Sequence, residues 1–228
     1  MAHKPSFPVR YQMVGATFIL AMIVLFDRIL ISVAKDPVSA DLSLNDKQMG
    51  WVLSIFALGY ALFQTPAGLL ADRFGARRIL TLVVSIWSVF TALTGAVWNF
   101  FLLLIVRFLF GVGEAGAFPG IARAVFRWVP GGERGIVNGI NFSGGRIGAA
   151  IALPGAAWLI SQVGWRGSFL ILGAIGVLWS VIWYAWFRDD PAEHAAVSDQ
   201  ERKFIEENTS SKDAKGKPIS FNKLFKSR

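Results

Sequence analysis

Asp27 and Arg28 stand side by side in MVGATFILAMIVLFDRILISVA, a stretch from Met13 that is otherwise apolar. Arg107 and Glu114 lie seven residues apart in a second apolar stretch, so as two helical turns they share one helix face. A charge at the centre of a bilayer costs roughly 2.5–3.5 kcal/mol on insertion scales, so such residues are expected to face a protein or aqueous interior; the alternative for Arg107 and Glu114 is an ordinary structural pair at one end of the span, with Arg107 snorkelling. An ionised carboxylate only accepts hydrogen bonds and can take up a proton, whereas a planar guanidinium grips a carboxylate through two parallel bonds. The chemistry on offer is anion binding and proton movement, without a bond-making step. Arg146, in NGINFSGGRIGAAIALP, reads as a further buried arginine that wants an anion; pairing with a backbone carbonyl or with Glu114 fits as well. Tyr60 and Gln64, in ALGYALFQTPAG, are four apart and share a helix face, where a plain core tyrosine is the equal alternative.

Other chemistries are poorly served. There is no cysteine, which excludes thiol catalysis, disulfides and Cys-ligated metal, and His3 and His194, both in polar ends, are the two histidines. No nucleophile–base set is present, so an enzyme is not expected, nor a cofactor or a metal site. GVGEAG at Gly111–Gly116 matches the dinucleotide fingerprint letter for letter but sits inside an apolar span, without the strand that fingerprint requires. Its small residues suit close helix packing instead.

The elements that must hold these groups are membrane helices. Of 228 residues, 54% are hydrophobic and 17% charged, against about 25% charged in a soluble domain; the mean hydropathy is +0.50. A span needs about 20 mostly apolar residues, and all spans should be helical because lipid offers no partner for an open strand edge. Six are expected: 11–34, 48–71, 78–98, 100–128, 136–162 and 168–187. The apolar run after Lys4 and Arg10 reads as an uncleaved first span rather than a signal peptide. Residues 1–10 and 188–228 form polar ends. Basic residues alternate by loop: DRFGARR, RWVPGGERG and the tail are rich in them, and WNF has none. By the positive-inside rule both ends are cytoplasmic, and the net charge of +8 belongs to the membrane surface rather than to nucleic acid. In the tail, SDQE at Ser198–Glu201 predicts a capping box and a short helix to about Glu207. SSKDAKGKP reads as a linker, and Phe221, Leu224 and Phe225 share a face suited to the membrane surface.

Asp27 and Glu114 are 87 residues apart (114 − 27), Pro66 and Pro154 are 88 apart, and GAR at Gly75–Arg77 recurs as GWR 89 residues later. Spans 1–3 and 4–6 therefore read as two copies of a three-helix unit, inverted because each copy has an odd number of spans.

GLLADRFGARRIL, from Gly68, resembles the signature loop between helices two and three of the major facilitator superfamily. LFDRILISVA, RFLFGVGEAGAFPG and DDPAEHAAVSDQE are similar to its anion:cation symporter branch, which includes hexuronate, sugar-acid and phthalate permeases; the likeness departs at Leu25, where relatives often have tyrosine. The resemblance implies an all-α membrane protein, the N-terminal six-helix half of a twelve-span carrier, with the chain ending before the second half. It implies proton- or sodium-coupled symport of a small organic anion by alternating access in the inner (plasma) membrane. The partners are then the bilayer and the missing C-terminal half, with no nucleic acid. Substrate would be held by Arg28, Tyr60, Gln64 and Arg146, and the proton handled by Asp27, Glu114 and Arg107. Gly68, Asp72, Arg73, Gly75, Arg77 and Arg78 would latch the cytoplasmic side. The contending readings are a cation or drug exporter of the same superfamily, which three intramembrane arginines against two acids disfavour, and a non-transporting membrane scaffold.

Overall fold

The structure is a computed structural model and describes residues 8–209. His3, the linker at 210–218 and the expected surface helix at Phe221–Phe225 lie outside the described residues. Within them the chain is helical without strands: α1 (Val9–Val33), α2 (Lys35–Leu42), α3 (Asp46–Thr94), α4 (Phe100–Glu114), α5 (Ala117–Trp128), α6 (Arg134–Trp186) and α7 (Asp199–Asn208), with short 3-10 turns at Gly131–Glu133 and Pro191–Glu193. Four stretches are long and apolar enough to cross a membrane: Val9–Val33, Asp46–Thr94, Phe100–Trp128 and Gly131–Trp186.

Two of these are too long for one straight crossing. The 49 residues of α3 and the 53 of α6 would measure about 74 and 80 Å at 1.5 Å per residue, against a hydrocarbon core of about 30 Å. Each passes through one residue outside the helical region, Gly75 (φ 82°, ψ 162°) in α3 and Gly164 (φ 71°, ψ 170°) in α6. That backbone is open essentially to glycine alone, and it divides α3 at 75 and α6 at 164.

Local chemistry explains where the other ends fall. Asn45 and Gln48 form a reciprocal capping box at the start of α3 (2.9 and 3.0 Å). Helix α3 stops at Thr94, short of the expected 98, because Asn99 is already the N-cap of α4 and accepts from the Leu102 amide at 2.9 Å. The single helix expected over 100–128 is interrupted at Ala115–Gly116. Pro119 has no N–H to give the Ala115 carbonyl, so the ladder is broken there. The stretch 35–47, read as a loop, contains α2 instead; Pro37 falls in its first turn, where a missing N–H costs nothing, and Val38 is buried.

Small residues set the helix contacts. A Cβ on Gly111 would collide with the Phe56 carbonyl, and one on Gly148 with the Met22 backbone, so α4 lies backbone-close to α3 and α6 to α1. Beyond their breaks α3 and α6 run antiparallel, with Ser85 Oγ donating to Ser180 Oγ at 3.0 Å. Two apolar clusters fill the interior, one containing Val24, Trp87 and Phe110, the other Leu30, Val106 and Trp165. Asp27 and Arg107 fall between them along α1 and α4.

The SDQE capping box forms only by half. Ser198 Oγ accepts from the Glu201 amide at 3.2 Å, but the Glu201 carboxylate turns away and accepts from the Val9 and Arg10 amides at 3.1 and 2.9 Å. The start of α1 offers unsatisfied donors to an acid, so Glu201 caps another helix rather than its own. Arg10 stacks over Phe204 at 4.4 Å, and Ile205 is buried beside them.

Candidate functional site

Helix α4 carries Arg107 and Glu114 into the interior, where both are buried. Its close approach at Gly111 brings them against Phe56 and Tyr60 of α3, and α1 supplies Asp27 and Arg28 from the other side. Arg28 Nε donates to Glu114 Oε1 in a close ion pair. The Arg28 guanidinium lies over the Tyr60 ring at 4.4 Å and the Phe56 ring at 5.2 Å. Arg107 lies over Phe110 at 4.4 Å and reaches the same Phe56 ring at 5.5 Å. It interacts electrostatically with both Glu114 and Asp27. Asp27 Oδ2 accepts from the Trp87 indole N–H at 3.1 Å. Thr91, one turn beyond Trp87, lies beside the same carboxylate.

The four charged groups are thus one cluster with unequal partners. Glu114 has a cation, whereas Asp27 has a neutral donor. Asp27 Oδ1, Arg28 Nη2, Arg107 Nε and Glu114 Oε2 are buried without a hydrogen-bond partner among the described residues. An unpaired buried polar group costs about 1–3 kcal/mol, more when charged, so this concentration of donors and acceptors is the feature of the interior that most calls for a polar ligand or a proton. Two acids against two arginines could take up a carboxylate by exchanging ion-pair partners.

Of the other residues expected to bind substrate, Tyr60 is joined to the cluster through Arg28, and Gln64 Nε2 donates to Tyr60 Oη at 3.4 Å from the exposed side. Arg146 is not buried as its setting suggested. Gly144, Gly145 and Gly148 take the side of α6 that meets α1, and Arg146 is left exposed, with no hydrogen bond or ion pair to a described residue.

The signature loop turns at the Gly75 corner. Asp189 Oδ1 accepts from the Arg77 amide at 3.0 Å, and its carboxylate fills the space where a side chain on residue 75 would stand. Arg77 Nε and Nη2 donate to the Tyr184 carbonyl at 3.0 and 2.8 Å. Asp72 faces Arg123 at 3.8 Å, and a Cβ on Gly68 would sit 3.7 Å from Pro119. Arg73 lies over its neighbour Phe74 at 5.3 Å, and Arg78 is exposed without an ion pair among the described residues. His194 is a packing residue: Trp128 and Trp186 meet it edge-on at 5.7 and 5.2 Å, and burial, then Arg188, hold it below its ordinary pKa.

Sequence reasoning missed Trp87, Asp189, Phe56 and Arg166. SIWSVFTAL looked like any span wall, though Trp87 and Thr91 at four-residue spacing do share a face. Arg166 was noted only as a repeat match, yet it donates to Gly95 O, Val97 O and Asp41 Oδ2 at 3.1, 2.6 and 2.8 Å.

Comparison with known proteins bears on the family and the fold. The family description Major Facilitator Superfamily matches residues 17–228. The probable sulfoacetate transporter SauU of Cupriavidus necator is 37% identical over 87% of this chain and 46% of its own length. The probable galactarate/D-glucarate transporter GudP of Bacillus subtilis is also 37% identical, over 87% of this chain and 45% of its own. The crystal structure of a bacterial homolog of the human lysosomal transporter Spinster, inward-facing and unoccupied, superposes with a TM-score of 0.72 at 30% identity, covering 82% of this chain and 44% of that one. The chain spans about half the length of the curated relatives it matches. These relatives are named as transporters, none as an enzyme. With its helical, membrane-spanning architecture and its family match over most of its length, the chain is a multi-pass membrane protein that belongs to the Major Facilitator Superfamily.

Proposed function

We propose that this chain is the N-terminal six-span half of a secondary carrier that moves a small organic anion, a sugar acid or another carboxylate, together with a proton by alternating access. The observation that carries the reading is the pair of the part-buried Arg28 with the buried Glu114, beside a second buried acid, Asp27, and a buried arginine, Arg107. An incoming carboxylate competes with Glu114 for the Arg28 guanidinium. The displaced acid takes up a proton rather than remain ionised and unpaired in a low-dielectric interior. Anion and proton then load together. Arg107 holds the potential of the site positive, and Tyr60 and Gln64 offer hydrogen bonds and a ring face at its exposed side. Arg146 is available to substrate, or to a second half, from the exposed side of α6. The names of the relatives, carriers of sulfoacetate and of galactarate or D-glucarate, agree with an anionic substrate.

Counting α3 and α6 as two crossings each gives six spans in two inverted triplets. The matching positive-φ glycines 89 residues apart support the repeat. Both ends then lie in the cytoplasm and the carrier in the plasma (inner) membrane. The domain reading is unchanged: 1–10 as the cytoplasmic N-terminus, 11–187 as the bundle and 188–228 as the cytoplasmic central loop. Gly68, Asp72, Arg73, Gly75, Arg77 and Arg78 form the cytoplasmic latch, and the substrate anion, the coupling ion, the lipid and a C-terminal half are the partners.

The test is made in a twelve-span carrier that contains this chain. Glu114→Gln keeps the side-chain volume and cannot take up the proton. It loses accumulation against a gradient while labelled and unlabelled anion still exchange. Arg28→Ala loses both, with anion affinity down about 30-fold or more, since truncating one partner of a buried charge pair costs about 2–5 kcal/mol. Accumulation of the anion by the Glu114→Gln carrier would overturn the assignment of the proton to Glu114.

A further inference from the structure

We propose that Trp87 is a positioning residue for Asp27: from the second part of α3 its indole N–H holds one carboxylate oxygen in both protonation states, so that Asp27 exchanges a proton without changing partner. This deepens the reading of Asp27 as a coupling acid and rests on it.

The geometry that carries it is local. Trp87 is fully buried. A Cβ on Gly113 would stand 3.0 Å from the Trp87 amide nitrogen, and one on Gly176 would stand 3.9 Å from its indole nitrogen, so α4 and α6 both close on the residue. A buried indole N–H needs an acceptor, and Asp27 Oδ2, 60 residues away in sequence, is the one it meets at 3.1 Å. The other oxygen, Oδ1, is buried with no hydrogen-bond partner among the described residues and is where a proton would sit.

The chemistry of the donor separates the two acids. An indole N–H is neutral and donates only; it bonds a carboxylate more strongly, and it can still donate to the carbonyl oxygen of the protonated acid. A guanidinium is a permanent cation whose bond is strong to the ionised acid and weak to the neutral one. Glu114 therefore loses the ionic part of its bond to Arg28 when it is protonated, whereas Asp27 loses no ion pair to Trp87. The charged and titratable groups facing Asp27 are Arg107 and Glu114 of α4, with Arg28 its neighbour on α1; α3 presents only Trp87 and Thr91, which are uncharged.

The experiment uses the 228-residue chain in detergent with its tryptophans labelled with 15N, reading the nine indole N–H resonances against pH. One resonance, identified by its loss in Trp87→Phe, should move with pH, stop moving in Asp27→Asn and still move in Glu114→Gln. Trp128, which donates to the Arg188 carbonyl at 2.9 Å, is the internal control and should not follow Asp27→Asn. Should Trp87→Phe fail to fold, the same resonance is found as the one that Asp27→Asn alone holds still, with the indole untouched. A Trp87 resonance that ignores Asp27→Asn, or no tryptophan resonance that responds to it, overturns the proposal. If the resonance behaves as stated but a carrier with Asp27→Asn still couples the anion to the proton, the Trp87–Asp27 bond stands and the coupling role of Asp27 falls.

Discussion

At the corner around Gly75, the arginine two residues on donates to a carbonyl at the end of α6; at the corner around Gly164, the equivalent arginine donates to two carbonyls just past the end of α3. The two corners share nearly the same backbone (φ 82°, ψ 162° and φ 71°, ψ 170°) and sit at opposite ends of the antiparallel pair formed by the second parts of α3 and α6. Each arginine ties the start of one helix to the finish of the other. The acids nearby are used differently. Asp189 closes over Gly75 and accepts from the amide of Arg77, leaving that guanidinium to a carbonyl and the Tyr184 ring at 4.4 Å. Asp41 pairs with the Arg166 guanidinium itself at 2.8 Å, and nothing stands within 4 Å of a Cβ built on Gly164. What recurs is the part only a glycine and a long fork-shaped donor can supply; which group carries the corner differs.

The comparison is broken hardest at the glycines. Gly75→Ala forces a side chain into a backbone region that costs about 1–3 kcal/mol, and it also expels the Asp189 carboxylate from the Arg77 amide. A charged hydrogen bond adds roughly 1.5–3 kcal/mol, so thermal unfolding of the purified chain should show a loss of about 2.5–6 kcal/mol. Gly164→Ala meets open space and should lose only the backbone part, about 1–3 kcal/mol. Equal losses would mean that Asp189 does not brace the first corner.

The arginines should rank the other way. Arg166→Ala removes bonds to two carbonyls and a carboxylate, Arg77→Ala removes a bifurcated bond to one carbonyl and a ring contact. At roughly 1 kcal/mol per partly exposed bond, Arg166→Ala should cost about 2–3 kcal/mol and Arg77→Ala about 1–2 kcal/mol, read by the same melting experiment. The reverse order would show that the Arg77 guanidinium, which pairs with no acid, holds its corner more strongly than the Arg166 guanidinium paired with Asp41.

Much of this architecture was readable beforehand, for physical reasons. Lipid forces helices, and the cost of burying charge forces Asp27, Arg28, Arg107 and Glu114 inward, so hydropathy and the seven-residue spacing of Arg107 and Glu114 suffice to draw them to an interior. Partner choice was not readable in the same way. Trp87 and Asp27 are 60 residues apart and Gly75 and Asp189 are 114 apart, and no periodicity within a span reports which helix lies opposite. Arg146 was misjudged although its signal was present: Gly144 and Gly148, four apart, mark the face that meets α1, and Arg146 lies off that face. Pro119 likewise announced the break before α5, and Asn45 with Gln48 announced the start of α3. The Glu201 side chain followed a motif only halfway, because the amides at the start of α1 were the better donors.

The smallest effect is the one that isolates the role of Asp41. Arg166 and Asp41 are each about half exposed, with side-chain accessibilities of 40% and 45%. Exposed ion pairs contribute about 0.2–1 kcal/mol, so Asp41→Asn should lower stability by less than about 1 kcal/mol in dilute buffer. The bonds from Arg166 to the Gly95 and Val97 carbonyls remain in that variant, which is why the corner should hold. Salt separates the charge from the geometry: the Debye length falls from about 10 Å at 0.1 M to 3 Å at 1 M. The difference between Asp41→Asn and the parent chain should therefore shrink toward zero at 1 M salt. The cost of Arg77→Ala, whose guanidinium meets a carbonyl and a ring, should stay nearly constant over the same range. A salt-independent loss in Asp41→Asn would mean that Asp41 acts by positioning α2 against the Arg166 corner rather than by its charge.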